Sequence, residues 1–175
     1  MIVWVNGAFG VGKTTTTREI CSLVPSARIF DTEYVGYMLQ HVLESVPVND
    51  FQEWTPWRGL AVESAVQILG YVGGVLVIPQ TVLVEQYWQE IRAGFDKAGV
   101  PVRHVLLHAD REVIADRIDA DTVDLDAHKW RHKHLDVYEA ARPWLAREAE
   151  VIDTASLSPA EAAREIVARV GLSDL

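Results

Sequence analysis

The chain has 175 residues, 49% of them apolar and 23% charged, a composition typical of one soluble globular domain. Its 16 basic and 25 acidic residues give a net charge of −9, which disfavours a nucleic-acid partner, because such a partner needs an extended basic surface. A single cysteine excludes an intrachain disulfide, and no apolar run approaches the roughly 20 residues of a membrane span.

The first predicted element is the apolar run Ile2–Val5. It ends at Asn6 and has neither a basic leader nor a cleavage site, so we interpret it as a core strand rather than a signal peptide. The protein is therefore expected in the cytoplasm.

A phosphate-binding motif follows this strand directly. The segment from Gly7 to Thr14 reads GAFGVGKT and matches G-x-x-x-x-G-K-[ST] without a gap. Glycines let successive backbone N–H groups converge on phosphate oxygens, and the helix predicted to start near Gly12 adds its positive N-terminal end. We expect Lys13 to reach the β- and γ-phosphates of ATP, and the Thr14 hydroxyl to ligate Mg²⁺. The residues predicted to bind the nucleotide are Gly7, Ala8, Phe9, Gly10, Val11, Gly12, Lys13, Thr14 and Thr15.

The second predicted strand, Arg28–Phe30, ends beside Asp31. Ligands gather at the carboxyl ends of parallel strands, so Asp31 is a candidate for accepting the proton of an attacking hydroxyl. The alternative is that Asp31 caps the helix that begins near Thr32. Both roles are open, and one side chain could fill both.

A helical stripe and a third strand come next. Trp57, Ala61, Ala65, Ile68 and Val72 recur at helical spacing, and Val75–Ile78 is a buried strand that runs into Pro79-Gln80-Thr81. An acidic residue at the end of this strand is usual in motor and transporter ATPases and is absent here. The chain also lacks the Asn-Lys-x-Asp motif of guanine-specific switch proteins. These absences favour a small-molecule kinase.

The second half of the chain continues the strand–helix alternation. A stripe from Val84 to Phe95 predicts a helix, and Val102–Leu107 and Glu150–Ile152 predict the last two strands. Ser158, Pro159 and Glu161 form a capping box at the start of the final helix. The alternation predicts an α/β fold of three layers, a P-loop NTPase fold with a five-stranded parallel sheet, as one domain over residues 1–175. The charged segment 119–134 is predicted to be a mobile lid.

These residues resemble a known family. The opening IVWVNGAFGVGKT, then Asp50-Phe51-Gln52 with Trp57-Arg58, and Gly74 to Pro79 with Thr81 are similar to the tunicamycin-resistance proteins. Those proteins are P-loop proteins related to chloramphenicol phosphotransferase and shikimate kinase. The resemblance implies ATP binding and resistance to a nucleoside antibiotic, and it places Asp31 where relatives contact the acceptor hydroxyl. It also implies membrane contact only for members with longer C-terminal tails, so no such contact is expected here.

Other candidate site residues follow from their positions. We predict that Trp54, Trp57, Arg58 and Gln80 contribute to the acceptor site, since aromatic walls with one cation suit a nucleoside. The alternative is core packing for Trp57 and a surface position for Arg58. Arg117 is the preferred lid arginine for the transferring phosphate. Solvation at the surface is its alternative, and further candidate cations are Arg111, Arg131, Lys133 and Arg142.

Two more segments have an ordinary structural interpretation. His128, His132 and His134 could suggest zinc, since histidines at i and i+4 share a helix face, but no cysteine or suitably spaced acid completes a set, so a solvated helix face is expected. Asp119, Asp121, Asp124 and Asp126 lack the glycine and glutamate of a calcium loop, so no structural metal is predicted. The turn from Asp153 to Ser156 either reads adenine or simply joins strand and helix.

Two functional hypotheses remain from the sequence. The first is a kinase in which MgATP lies on the P-loop and phosphorylates a nucleoside antibiotic or related metabolite. The second is an ATP-dependent binding protein that sequesters tunicamycin without transferring phosphate. Both require the same loop, so the sequence does not separate them.

Overall fold

The predicted strands form one parallel sheet. The computed structural model describes residues 1–122 and 128–172, and their strands pair in the order β2–β3–β1–β4–β5. The strands are β1 (Ile2–Gly7), β2 (Ala27–Ile29), β3 (Val75–Pro79), β4 (Val102–His108) and β5 (Glu150–Asp153). The five-stranded parallel sheet expected from the sequence is confirmed, with β2 one residue earlier than predicted.

Helices connect the strands. They are α1 (Lys13–Leu23), α2 (Glu33–Val42), α3 (Thr55–Val72), α4 (Glu85–Lys97), α5 (Arg111–Asp119), α6 (His128–Glu148) and α7 (Pro159–Arg169), with a 3₁₀ turn at Phe51–Glu53. The predicted capping box of α7 is present: Ser158 Oγ accepts from the Glu161 N–H, and the Glu161 carboxylate accepts from the Ser158 N–H. This reciprocal pair satisfies two N–H groups that a helix start leaves without partners.

The sheet is covered on both faces. Ile2, Val3, Trp4 and Val5 in the central strand β1 are all fully buried, although successive side chains point to opposite faces. Helix α1 contacts α7, whereas α3 and α6 both contact α4, which gives two helical groups. Such double coverage explains the nearly continuous apolar strands.

The predicted lid segment is described in part. Helix α5 ends at Asp119, where the predicted segment starts, and α6 begins at His128, so the first two turns of α6 belong to the segment. Asp124 and Asp126 lie outside the described residues. Within residues 1–122 and 128–172, no helix has both the length and the apolar character that a membrane span requires.

Candidate nucleotide and acceptor site

The P-loop joins the end of β1 to the start of α1. Gly7, Gly10 and Gly12 all have positive φ, at 147°, 83° and 104°, values that L side chains rarely adopt. A Cβ on Gly7 would lie 2.6 Å from the Leu107 carbonyl oxygen, so the close approach to β4 also requires glycine. The backbone thus has the curl that phosphate binding needs. All nine residues predicted to bind the nucleotide lie in or next to this loop, and seven of them, from Phe9 to Thr15, line a cleft of about 1020 Å³.

Lys13 points back onto the loop. Its Nζ donates to the carbonyl oxygens of Gly7 and Ala8, at 3.1 and 2.8 Å, and lies 5.3 Å from the centre of the Phe9 ring. Burial lowers the pKa of Lys13 to about 7; the negative charge of Glu33 opposes this shift, and the positive charge of Arg131 adds to it. A cation held here without a full countercharge is suited to receive phosphate.

The hydroxyl residues of the loop differ in their surroundings. Thr14 is exposed in the cleft, whereas Thr15 Oγ1 donates to the Gly12 carbonyl oxygen at 2.9 Å. Thr14 therefore fits the predicted Mg²⁺ site, because it is exposed and lines the cleft beside Lys13.

Two buried polar residues that the sequence analysis did not select fix the loop. Asn6 Oδ1 accepts from the Gly7 N–H at 2.8 Å and from the Val82 N–H at 3.0 Å, and Asn6 Nδ2 donates to the Val82 carbonyl. Thr81 Oγ1 donates to the Gly7 carbonyl at 2.8 Å. These bonds tie the P-loop to the segment after β3. The signal in the sequence was a polar residue at the end of each of two apolar strands.

The end of β2 places two carboxylates in the same cleft. Asp31 and Glu33 both line it, and Asp31 Oδ1 accepts from the Glu33 N–H at 2.9 Å. Asp31 therefore bonds to the first residue of α2, although the N-cap position itself is occupied by Thr32, whose side chain makes no capping bond. Glu33 was not selected from the sequence; its signal is the Asp-x-Glu spacing at the end of the strand.

The predicted aromatic and cationic acceptor residues lie deeper than expected. Trp57 is fully buried and donates its indole N–H to the Thr32 carbonyl at 3.1 Å. Arg58 is 6% exposed, forms an ion pair with Glu90 at 2.5 Å and lies 4.3 Å from the centre of the Tyr87 ring. Neither side chain lines the acceptor-side cavities described below. The alternative of core packing is present for Trp57, whereas Arg58 is buried and pairs with the partly exposed Glu90 instead of lying at the surface.

Gln80 and Trp54 also have internal partners. Gln80 Oε1 accepts from Thr32 Oγ1 at 2.8 Å, and the Trp54 indole donates to the Val46 carbonyl at 2.9 Å. Unlike Trp57 and Arg58, however, both side chains line a cavity of about 170 Å³ that opens beside the P-loop. The structure thus brings half of the predicted acceptor set to this side of the cleft.

An aromatic cluster separates the nucleotide cleft from the acceptor side. The Phe9 ring of the P-loop lies 4.4 Å from the Trp130 ring, and the His134 ring lies 3.9 Å from that of Trp130. Phe9 and Trp130 line both the 170 Å³ cavity and a second cavity of about 530 Å³. The sequence analysis placed His134 on a helix face and did not select Trp130.

Arg117 lies at the other end of the nucleotide cleft. Its guanidinium donates to Thr154 Oγ1 at 3.0 Å, to the Thr154 carbonyl at 2.6 Å and to the Val11 carbonyl at 3.4 Å. It thereby joins α5, the P-loop and the turn after β5, where the sequence analysis placed an adenine-reading segment. Arg131 lines the same cleft and pairs with Asp121 at 2.5 Å.

The other candidate cations are engaged elsewhere. Arg111 pairs with Asp136 at 2.7 Å and Arg142 with Glu139 at 3.7 Å, and neither lines the nucleotide cleft. Lys133 lines the larger acceptor-side cavity.

Comparisons with known proteins agree with this arrangement. Residues 2–129 match the family described as AAA domain. The chain belongs to this family. No curated protein matches it, but solved structures do. The tunicamycin resistance protein of Deinococcus radiodurans is 27% identical, with a TM-score of 0.73 over 97% of this chain and 95% of that one.

Two kinases share the fold at lower identity. A gluconokinase from Sinorhizobium meliloti 1021 is 19% identical, with a TM-score of 0.67 over 98% of this chain and 93% of that one. A shikimate kinase from Bacteroides thetaiotaomicron is 11% identical, with a TM-score of 0.66 over 98% of both chains. The resemblance to tunicamycin-resistance proteins is confirmed, and the chain is a nucleotide-binding, kinase-like P-loop protein.

Proposed function

We propose that this protein is an ATP-dependent phosphotransferase whose acceptor is a hydroxyl of tunicamycin or of a related uncharged nucleoside. One observation carries the proposal: the P-loop cleft, the carboxylates after β2 and two acceptor-side cavities meet around Phe9 and Glu33. The similarity to the Deinococcus radiodurans tunicamycin resistance protein supports the acceptor class.

The nucleotide would lie along the cleft with its phosphates on the P-loop. Lys13 supplies a charge-assisted contact to the β- and γ-phosphates. Thr14 would contribute its hydroxyl to Mg²⁺, which neutralises charge on the phosphates. Arg117, bonded to the turn after β5, forms a wall at the far end of the cleft and holds the P-loop from that side. The phosphoryl group would then face the acceptor-side cavities.

The charges around those cavities favour an uncharged acceptor. Glu33, Asp50 and Glu53 line them, against Lys133 and His134. Burial raises the pKa of both Glu33 and Asp50, so the environment already disfavours negative charge. A carboxylate acceptor would add another anion, whereas a nucleoside brings a ring and hydroxyl groups. The Phe9–Trp130 pair offers the apolar surface that a ring needs.

Segment 119–134 is proposed to act as a lid over this site. Arg131 lines the nucleotide cleft, and Trp130 and His134 contact Phe9 of the P-loop. Closing the segment over bound MgATP would exclude water and bring Arg131 toward the phosphoryl group.

The test is a product assay with MgATP and tunicamycin. Transfer predicts equimolar ADP and a phosphorylated nucleoside, identified by a mass increase of one phosphate group, and no product from Lys13→Ala. Tight, ATP-dependent binding of tunicamycin without ADP or product would instead favour the sequestering protein. As a matched control, gluconate and shikimate should give no product, because they bring a carboxylate to an acidic cavity.

A further inference from the structure

Glu33 occupies a position that no other carboxylate in the described residues shares. It lines both the nucleotide cleft and the 170 Å³ acceptor-side cavity. Asp31 lines the cleft alone, and Asp50 lines the acceptor-side cavities alone. A group that takes a proton from the acceptor during transfer must reach the acceptor hydroxyl beside the phosphate. Glu33 meets this requirement by position.

Hydrogen bonds hold Glu33 at this boundary. Its N–H is fixed by Asp31 Oδ1 at 2.9 Å, and its Oε2 accepts from the Tyr37 hydroxyl at 3.2 Å. One oxygen of each carboxylate is thus engaged, and what distinguishes the two is position, because Glu33 lines the acceptor-side cavity and Asp31 does not. Lys13 lies near enough to influence the charge on Glu33, which connects this carboxylate to the phosphate-binding group.

We infer that Glu33, rather than Asp31, is the base that receives the proton of the acceptor hydroxyl; this inference rests on the proposed phosphotransferase function. As the acceptor oxygen bonds to the γ-phosphorus, its O–H bond breaks and the proton passes to the Glu33 carboxylate. The bond between the γ-phosphorus and the bridging oxygen breaks, and its electron pair leaves with ADP. The Glu33 carboxylic acid then returns its proton to solvent. Asp31 is a positioning residue that fixes the first turn of α2.

The surroundings of Glu33 suit this role. Burial raises its pKa, as do the negative charges of Asp31 and Asp50, while the Tyr37 hydrogen bond and Lys13 act in the opposite direction. A carboxylate base with a raised pKa has a stronger affinity for the proton at neutral pH than an exposed one.

A matched pair of substitutions tests the assignment. Glu33→Gln keeps the size of the side chain but cannot take a proton, so we expect kcat to fall by at least about 100-fold with little change in MgATP Kd. Asp31→Asn still accepts the Glu33 N–H, so its kcat should stay within about tenfold of the parent, far from a general-base loss. The acid limb of the parent's kcat–pH profile should persist in Asp31→Asn and disappear in Glu33→Gln.

The readouts separate this inference from the proposed function. Tunicamycin phosphorylation and MgATP hydrolysis, with water in place of the acceptor, are measured together. Hydrolysis without nucleoside phosphorylation refutes the proposed acceptor, and the two variants' hydrolysis rates then decide the role of Glu33. No turnover by the parent overturns both proposals. A large loss in Asp31→Asn, or full turnover in Glu33→Gln, overturns the assignment to Glu33. If Glu33→Gln does not fold, Glu33→Asp must keep the acid limb at reduced kcat.

Discussion

The ionisation of Lys13 leads to a specific prediction about pH and nucleotide affinity. Burial lowers its pKa to about 7 in the free protein, and bound phosphates would raise it because they favour the ammonium. At pH values below the pKa of Lys13 in the free protein, the lysine is already charged, so the nucleotide affinity does not change with pH. Above it, binding must first protonate the amine. With a free pKa of about 7, affinity should weaken about 50-fold from pH 7 to pH 9, and about 0.9 proton should be taken up per nucleotide at pH 8.

Titration calorimetry with a non-hydrolysable ATP analogue measures both quantities. Proton uptake comes from the binding enthalpy in buffers of different ionisation enthalpy at pH 8. Lys13→Arg is the matched control, because arginine stays charged over this range and its affinity should be nearly flat. A parent whose affinity is equal at pH 7 and pH 9, with no proton uptake at pH 8, would refute the reasoning. A parent slope equal to that of Lys13→Arg would assign the pH effect to another group.

Three further predictions concern the stability of the fold, the Arg117 end of the nucleotide cleft and the lid. Arg58→Ala should lower the free energy of unfolding by about 2 kcal/mol in denaturant titration, because it leaves the buried Gln52 carbonyl without its donor, whereas Glu90 is partly exposed and can be solvated; an unchanged midpoint would contradict this. Arg117→Ala should weaken nucleotide binding about tenfold with a smaller effect on kcat, since its contacts hold Val11 and Thr154. A loss confined to kcat would instead favour contact with the transferring phosphate. Amide hydrogen exchange over residues 119–134 should slow when MgATP and tunicamycin are both present, and equal protection with and without ligand would argue against a lid.

The P-loop was predictable because its information is local. The order of glycines, Lys13 and Thr14 fixes the loop, and an apolar strand before it is enough to place it at the carboxyl end of a core strand. The same holds for α7, where Ser158 and Glu161 are three residues apart and satisfy each other's N–H groups. Short-range patterns of this kind depend little on the rest of the chain.

The acceptor side was less predictable because it is built from residues distant in sequence. Trp57 and Arg58 have the chemistry of a ligand site, but burial against α2, Glu90 and Tyr87 turns both inward. Trp130 gave no comparable signal, and reaches the site because α6 returns beside the P-loop and places it against Phe9. The residue type indicates what a side chain can bind, whereas packing decides whether that side chain points into the core or toward the site.

The sequence by itself therefore determined the parallel α/β architecture and the nucleotide-binding loop, since alternating periodicity and a contiguous motif encode them. The kinase-like class came from the absent switch and motor motifs and from the resemblance to tunicamycin-resistance proteins. Only the tertiary structure decided which carboxylate after β2 borders both the nucleotide cleft and the acceptor side, and which aromatic residues remain open to a ligand. Asp31 and Glu33 are two positions apart, and no local pattern distinguishes their roles. The cavities that distinguish them form where β2, the P-loop, the Phe51–Glu53 turn and α6 converge. Such convergence depends on the packing of the whole chain, because each wall comes from a different element.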